Sequence, residues 1–487
     1  MLDPQQLRRD TVGVARQLLR RRYTLDVEGF SQIEADVAQI NYDPRRSLYF
    51  PEKRPFFLDG ASYFDTSRFN FVHTRNIADP DVGVKLTGKS SEHSYGLMVA
   101  NDSNTSFLMP GNEGSDLATL DQKSEVMIGR YKMDVGERNN IGVLATVRNS
   151  DNYNNTLMSV DGNYWVNETD NISYQFAHAQ TDNTEYLQTE YEVDETQKGN
   201  ALSLNYARET RDYNLRAGYT SVTEDFRADL GFQSRVDFQK LVIGGRRTWY
   251  GEENDSLTQW GYFGDWDKTL DQDGNMIEQE FEIHGNIQGQ MQFYSNFGIV
   301  TREKLYRDRY FDETQAMAYA EFVPLSGVEF GVFTRFGKQI DYANTRLGDV
   351  VTIEPRVNWD VNQHLRIDFN HNYSQLDVEG GRLFTANLSD IRIAYQFNLN
   401  SILKFVVQYS DIKRDKSLYI ESDDLDLEDI DERSKNFSSQ LIYSYKINPQ
   451  TLFYLGYSDS GYQDDDLQKI QRDQRTLFTK FSYAWQL

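Results

Sequence analysis

From Asp81 to the C-terminus, apolar and polar residues alternate with a period of two, the mark of strands with two unlike faces. Val82, Val84 and Leu86 alternate with Gly83, Lys85 and Thr87, and Ile172, Tyr174 and Phe176 with Ser173, Gln175 and Ala177. The same beat returns at Leu202, Leu204 and Tyr206, at Leu365, Ile367 and Phe369, at Ile391 to Phe397, and at Leu403 to Tyr409. One face is apolar and aromatic, and the other is small, polar or charged. That division suits lipid on one side and water or packed polar groups on the other.

The connections between these segments alternate in length. Tight links fall near Glu137-Arg138, Glu168-Thr169, Ser326-Gly327, Asn362-Gln363, Asn398-Leu399-Asn400 and Asn448-Pro449-Gln450, and are expected at the periplasmic end. Longer links, near 102–123, 183–198, 226–237, 306–313, 341–348, 415–433 and 463–474, are expected at the extracellular end. The fold class predicted is all-β, a transmembrane antiparallel β-barrel of about 22 strands, within a range of about 18–24. The last segment, Thr476 to Leu487, puts Phe481, Tyr483, Trp485 and Leu487 on one face. It resembles the C-terminal signal strand that bacterial barrel-assembly machinery recognises.

Composition agrees with this pattern. The chain has 487 residues, no cysteine, 31 Tyr and 29 Phe, and a mean hydropathy of -0.68. A membrane helix needs about 18 or more consecutive apolar residues, and none of the apolar runs approaches that. A barrel strand turns only alternate residues to lipid, so a low average is no obstacle. The formal charge of -24 argues against nucleic acid, which requires a basic face. The absence of cysteine removes thiol nucleophiles, disulfides and cysteine metal sites. Residues 1–22 carry basic side chains without an apolar signal core, as if trimmed, and are expected to form a short periplasmic helix rather than a membrane-surface anchor.

Residues 30–90 depart from generic strand sequence. Phe30 to Asp36, Phe50-Pro51-Glu52-Lys53-Arg54-Pro55-Phe56-Phe57-Leu58-Asp59-Gly60, Val84 to Lys89, and later Phe226-Arg227-Ala228-Asp229-Leu230-Gly231-Phe232 resemble an outer-membrane barrel family labelled domain of unknown function 5916. Members usually carry a preceding domain similar to family nine of the carbohydrate-binding modules, for which this chain has no room. Asp59 stands where that family commonly has Glu. The resemblance implies an outer-membrane location, and glycan as a partner.

Physically, the two prolines of Phe50 to Gly60 resist helix and central strand alike, and its Phe cluster needs burial. Three regions are therefore expected: 1–34 as an N-terminal segment with a possible helix and first strand, 35–70 as a luminal plug or constriction, and 71–487 as the barrel. Lys53 and Arg54 are candidate ligand contacts, or are paired with wall carboxylates or stacked on the Phe rings. Arg335, Arg356, Arg366, Arg392, Lys404 and Lys446, with Lys480 on the final strand, all fall on the face opposite the apolar residues. They are read as a candidate basic track for an anionic or saccharide solute, or as partners of an acidic plug bearing Glu34, Asp36, Asp43, Glu52 and Asp59.

The run Glu421 to Glu432 reads as a solvated extracellular loop near lipopolysaccharide, and Asp271 to Asn275 as a hairpin turn. No cofactor or metal site is expected. The six histidines, His73, His93, His178, His284, His364 and His371, sit in no recognisable catalytic motif, so no catalytic residue is assigned. The leading expectation is a plugged outer-membrane channel or transporter in contact with membrane lipid and lipopolysaccharide. The alternatives are a surface enzyme, with His178 or His284 at its site, and a receptor or anchoring barrel without transport.

Overall fold

The computed structural model describes residues 49–482, apart from residues 50, 53, 253–254, 422–425 and 449–450. The expected helix and first strand in 1–34, the first part of the 35–70 plug, Lys53, and the terminal residues 483–487 lie outside the described residues.

One antiparallel sheet dominates the chain. It begins with β1 (Pro80–Ser90), β2 (His93–Asp102), β5 (Ser124–Val135), β6 (Asn139–Ser150), β7 (Tyr153–Trp165), β8 (Asp170–Asp182) and β9 (Thr196–Glu209). It continues through β10 (Tyr213–Val222), β11 (Phe238–Tyr250), β12 (Leu257–Leu270), β13 (Met276–Gly289), β14 (Tyr294–Tyr306), β15 (Arg309–Leu325) and β16 (Val328–Asp341). β17 (Arg346–Asp360), β18 (Leu365–Val378), β19 (Gly381–Asn398), β20 (Ser401–Arg414), β21 (Arg433–Asn448), β22 (Thr451–Gln463) and β23 (Gln471–Ser482) complete it. Each of these strands pairs with its neighbour in chain order, giving 21 strands among the described residues. A separate hairpin, β3 (Thr105–Pro110) and β4 (Ser115–Leu120), is inserted between β2 and β5. β1 and β23 are the two edges, and both run toward the end that carries the tight links.

All the links expected to be tight fall at that end, and all those expected to be long at the other. The links near 306–313 and 341–348 are shorter than expected. β14 and β15 run up to a two-residue turn at Arg307-Asp308, both with positive φ. Near that end charged residues such as Glu303 and Asp312, which face each other on the outward phase, interrupt the alternation while the backbone ladder continues, so this stretch looks like loop sequence.

The two faces differ as the alternation requires. Val84, Leu204, Ile243, Phe281 and Ile299 all point out and are exposed, Val84 to 69%. At the tight-link end the same face carries exposed Trp249, Trp260, Tyr262, Trp359, Tyr395 and Tyr445, an aromatic belt. On the opposite face Met98, Val126, Ile128, Leu144, Leu157 and Ala177, from β2 through β8, converge on one buried cluster. Side chains from so many successive strands can meet in one cluster only if the sheet curls around it.

The centre of that cluster is not strand. Phe57 from the short helix α1 (Pro55–Leu58), with Phe64, Phe71 and Ile77, fills it from the segment that precedes β1. The sheet starts at Pro80 rather than near residue 71, because Phe71 to Asn76 belong to this filling: Phe71 and His73 are buried, and Thr74–Asn76 makes a 3-10 turn. Residues 223–237, which include the link expected to be extracellular at 226–237, leave that end and fold inward. Phe226 and Leu230 are fully buried in the same cluster.

Candidate functional site

The inner side of the curled sheet is the candidate site, and its first element is the filling itself. Wall side chains hold its backbone. Gln175 on β8 accepts from the amides of Arg68 and Phe69, at 2.9 Å each, and Asp161 on β7 accepts from Ser67 N at 3.1 Å. Asp161 is in turn held by Arg130 on β5 at 2.6 Å, both side chains almost fully buried. Asp102, at the end of β2, accepts from the amides of Ala78 and Asp79, and buried Arg148 lies 3.5 Å from it while donating to Ser106 O of the β3–β4 hairpin. A buried carboxylate needs such donors to remain charged.

Arg54 is part of this structure. Its guanidinium donates to Ile77 O and Thr74 O at 2.7 Å each, pairs with Glu52 at 2.7 Å, and lies over the Phe57 ring at 4.2 Å. Burial pushes the Glu52 carboxyl up, but hydrogen bonds and charge from Arg54, with the Thr74 hydroxyl, outweigh it and hold its pKa at about 2. Burial, helped by Arg75, pulls His73 down to about 4, so it is neutral at ordinary pH.

The second element is the inward segment 223–237. Arg227 and Asp229 form a buried pair at 3.0 Å. Tyr153 donates to Asp229, and Arg227 donates to the Tyr153 hydroxyl at 2.6 Å and to Asn183 at 2.9 Å, with its guanidinium over the Phe107 ring. The helix α2 (Glu185–Glu190), capped by Thr184, packs Leu187 beside Phe107 and Tyr153. Asn76 donates to the carbonyls of Asp229 and Gly231, so the two inward segments are joined. A Cβ on Gly231 would stand 2.6 Å from Asn70 O, which explains glycine there. The apolar residues and Gly231 in this stretch were the available sign that it is no ordinary surface loop.

The third element is the charged wall. Arg335, Arg356, Arg366, Arg392, Lys404 and Lys446 all lie on the inner phase, as the alternation predicts. They are not a free basic track. Arg356 meets Glu321 at 2.5 Å and Glu329 at 3.1 Å. Arg366 meets Asp368 at 3.0 Å and Asp360 at 3.6 Å, and Arg392 meets Asp390 at 2.9 Å. Arg335 approaches Thr352 at 3.4 Å, and Lys446 is exposed beside the tight link after β21. Among the described residues, the carboxylates that meet Arg356, Arg366 and Arg392 lie on the wall, one or two strands away or two residues along the same strand.

Among the histidines, His178 is exposed and contacts Asn200 at 3.0 Å. His284 faces inward, 3.2 Å from Glu282 and stacked on Phe263. His371 lies 2.9 Å from the Ser389 hydroxyl on the outward face, with no carboxylate partner among the described residues. No described group of three or more His, Asp or Glu side chains is arranged to hold a metal ion. The run from Glu421 to Glu432 is described only in part, and Asp465 accepts from the amides of Glu432 and Arg433 there.

No family model and no curated relative matches the chain. Among solved structures, the copper transporter OprC aligns over 86% of this chain and 81% of its own, with 11% identity and a TM-score of 0.49. The ferric enterobactin receptor of Pseudomonas aeruginosa aligns over 81% and 80%, with 9% identity and a TM-score of 0.41. The outer membrane protein OprD of Pseudomonas aeruginosa aligns over 86% and 96%, with 11% identity and a TM-score of 0.33. At these values the reading rests on the chain's own geometry.

Proposed function

We propose that this chain is a bacterial outer-membrane β-barrel, plugged by residues 49–79 and by 223–237, that serves as a channel or transporter for a small polar solute. The observation that carries this reading is the opposition of the two faces. An exposed apolar band bounded by Trp and Tyr suits lipid, while the other face holds a folded segment through Asp161, Gln175 and Asp102. A wide barrel has to fill its interior or leave it open, and here the filling is made of the segment preceding the strands. Arg356, Arg366 and Arg392 are neutralised by wall carboxylates, so they do not favour an anionic solute. The resemblance to the family labelled domain of unknown function 5916 would add a saccharide solute or glycan partner, which binding assays can address.

Planar-bilayer conductance tests the reading. Deleting residues 55–65, alone and together with Arg227→Ala to loosen the second inward segment, should leave the barrel assembled and raise its conductance. Assembled variants with wild-type conductance would instead favour a receptor or anchoring barrel.

A further inference from the structure

On the tight-link side of Ser67 and Arg68, the inner faces of β7 to β13 border a cavity of about 730 Å³, a size suited to a small ligand. Its chemistry differs from that of the wall around Arg356, Arg366 and Arg392, where unlike charges meet in pairs. The β12–β13 register sets Asp265 opposite Glu282 and Asp267 opposite Glu280, and like charges directly opposite one another weaken a sheet. Arg216 pairs with Asp265, Lys240 lies 3.0 Å from Asp267, and Arg302 lies 2.9 Å from Glu280. Among the described residues, Glu282 meets only the imidazole of His284, at 3.2 Å.

Two further observations point to a ligand. Asp267 lines the cavity, is 5% exposed, and its Oδ1 has no hydrogen-bond partner. Buried carboxylate oxygens are rarely left so. On the filling side, Arg68 lines the same cavity and has no ion pair among the described residues. The remaining inward lining is mostly amide and hydroxyl, from Asn163, Asn171, Ser173, Asn205 and Asn214, with the further carboxylate of Glu209, while Tyr206 borders the cavity from the outward phase of its strand.

We propose that this cavity binds a small zwitterion of the amino-acid class, its ammonium group against Asp267 and Glu282 and its carboxylate against Arg68. The carboxylate excess on the wall favours a basic side chain, so L-lysine is the probe. The proposal takes its purpose from the channel reading, but occupancy can be measured without transport.

Calorimetric titration of the full chain in detergent is expected to show saturable L-lysine binding. Asp267→Asn and, separately, Glu282→Gln should each weaken it about tenfold or more, with folding verified by gel migration before and after heating. Arg68→Ala should weaken lysine while leaving cadaverine, the diamine lacking the carboxylate, unchanged. Absence of lysine binding by the folded wild type, binding indifferent to all three substitutions, or stronger binding of L-glutamate, glucose or calcium would overturn the proposal. Lysine binding in a protein whose plug deletions stay electrically silent would count against the channel reading alone. Conductance gained on deletion without lysine binding would count against this site alone.

Discussion

At the residue scale, the direction in which a side chain points was legible and its partner was not. Period-two alternation placed Arg356, Arg366 and Arg392 on the inner face from local sequence alone. Which carboxylate each meets depends on what the register sets beside it, as with Glu329, two residues along from Gly331, the residue opposite Arg356. The same limit hid the Arg227, Asp229 and Tyr153 cluster, whose members come from an inward segment and from β7. Removing one partner from a buried charge pair costs about 3–5 kcal/mol, because the other is stranded in a site without water. Arg227→Ala should lower the stability of the detergent-folded protein by that order in urea unfolding and expose residues 223–237 to protease. An unchanged unfolding midpoint with an uncut segment would show that the cluster does not hold the segment in place.

At the element scale, the strands declared themselves and the fillings only half did. Prolines and phenylalanines marked residues 50–60 as neither strand nor ordinary loop, but nothing in the sequence showed that 71–79 belongs with them. The docking of this element depends on pH through two groups. His73 has its pKa lowered from 6.5 to about 4 when docked, so the undocked form takes up a proton that the docked form refuses. Docking therefore weakens as pH falls from 6.5 toward 4. Glu52 is lowered from 4.5 to about 2, so its contribution is present above 4.5 and is lost as pH falls toward 2. Each effect is on the order of 3 kcal/mol at its limit. Because the chain has no cysteine, a fluorophore on Asp59→Cys would report this element alone. It should show release on acidification, with the upper part of the window missing in His73→Phe; a signal flat from pH 7 to 3 would refute the linkage.

At the scale of the whole molecule, fold class and the two ends of the sheet were legible because lipid imposes a rule on every strand. The seam was not. The described sheet has 21 strands whose edges, β1 and β23, run in the same direction, so an antiparallel closure takes a further strand between them. A closed barrel resists detergent until heated, because no edge is left from which to unzip. The folded protein is expected to migrate faster on a gel before boiling than after. Identical migration would mean that the edges stay open.

The filling also sets a direction for assembly. Among the described residues, the buried members of its apolar cluster lie between Phe57 and Val236, and β14 to β23 contribute none. A chain that emerges N-terminus first would bring the plug and the wall it grips together early, when few residues separate them and loop closure costs least entropy. The later strands each pair with their immediate predecessor in the chain, contacts of low sequence separation that form quickly. The barrel would thus be wound around a centre already occupied, with no need to thread a plug into a finished pore.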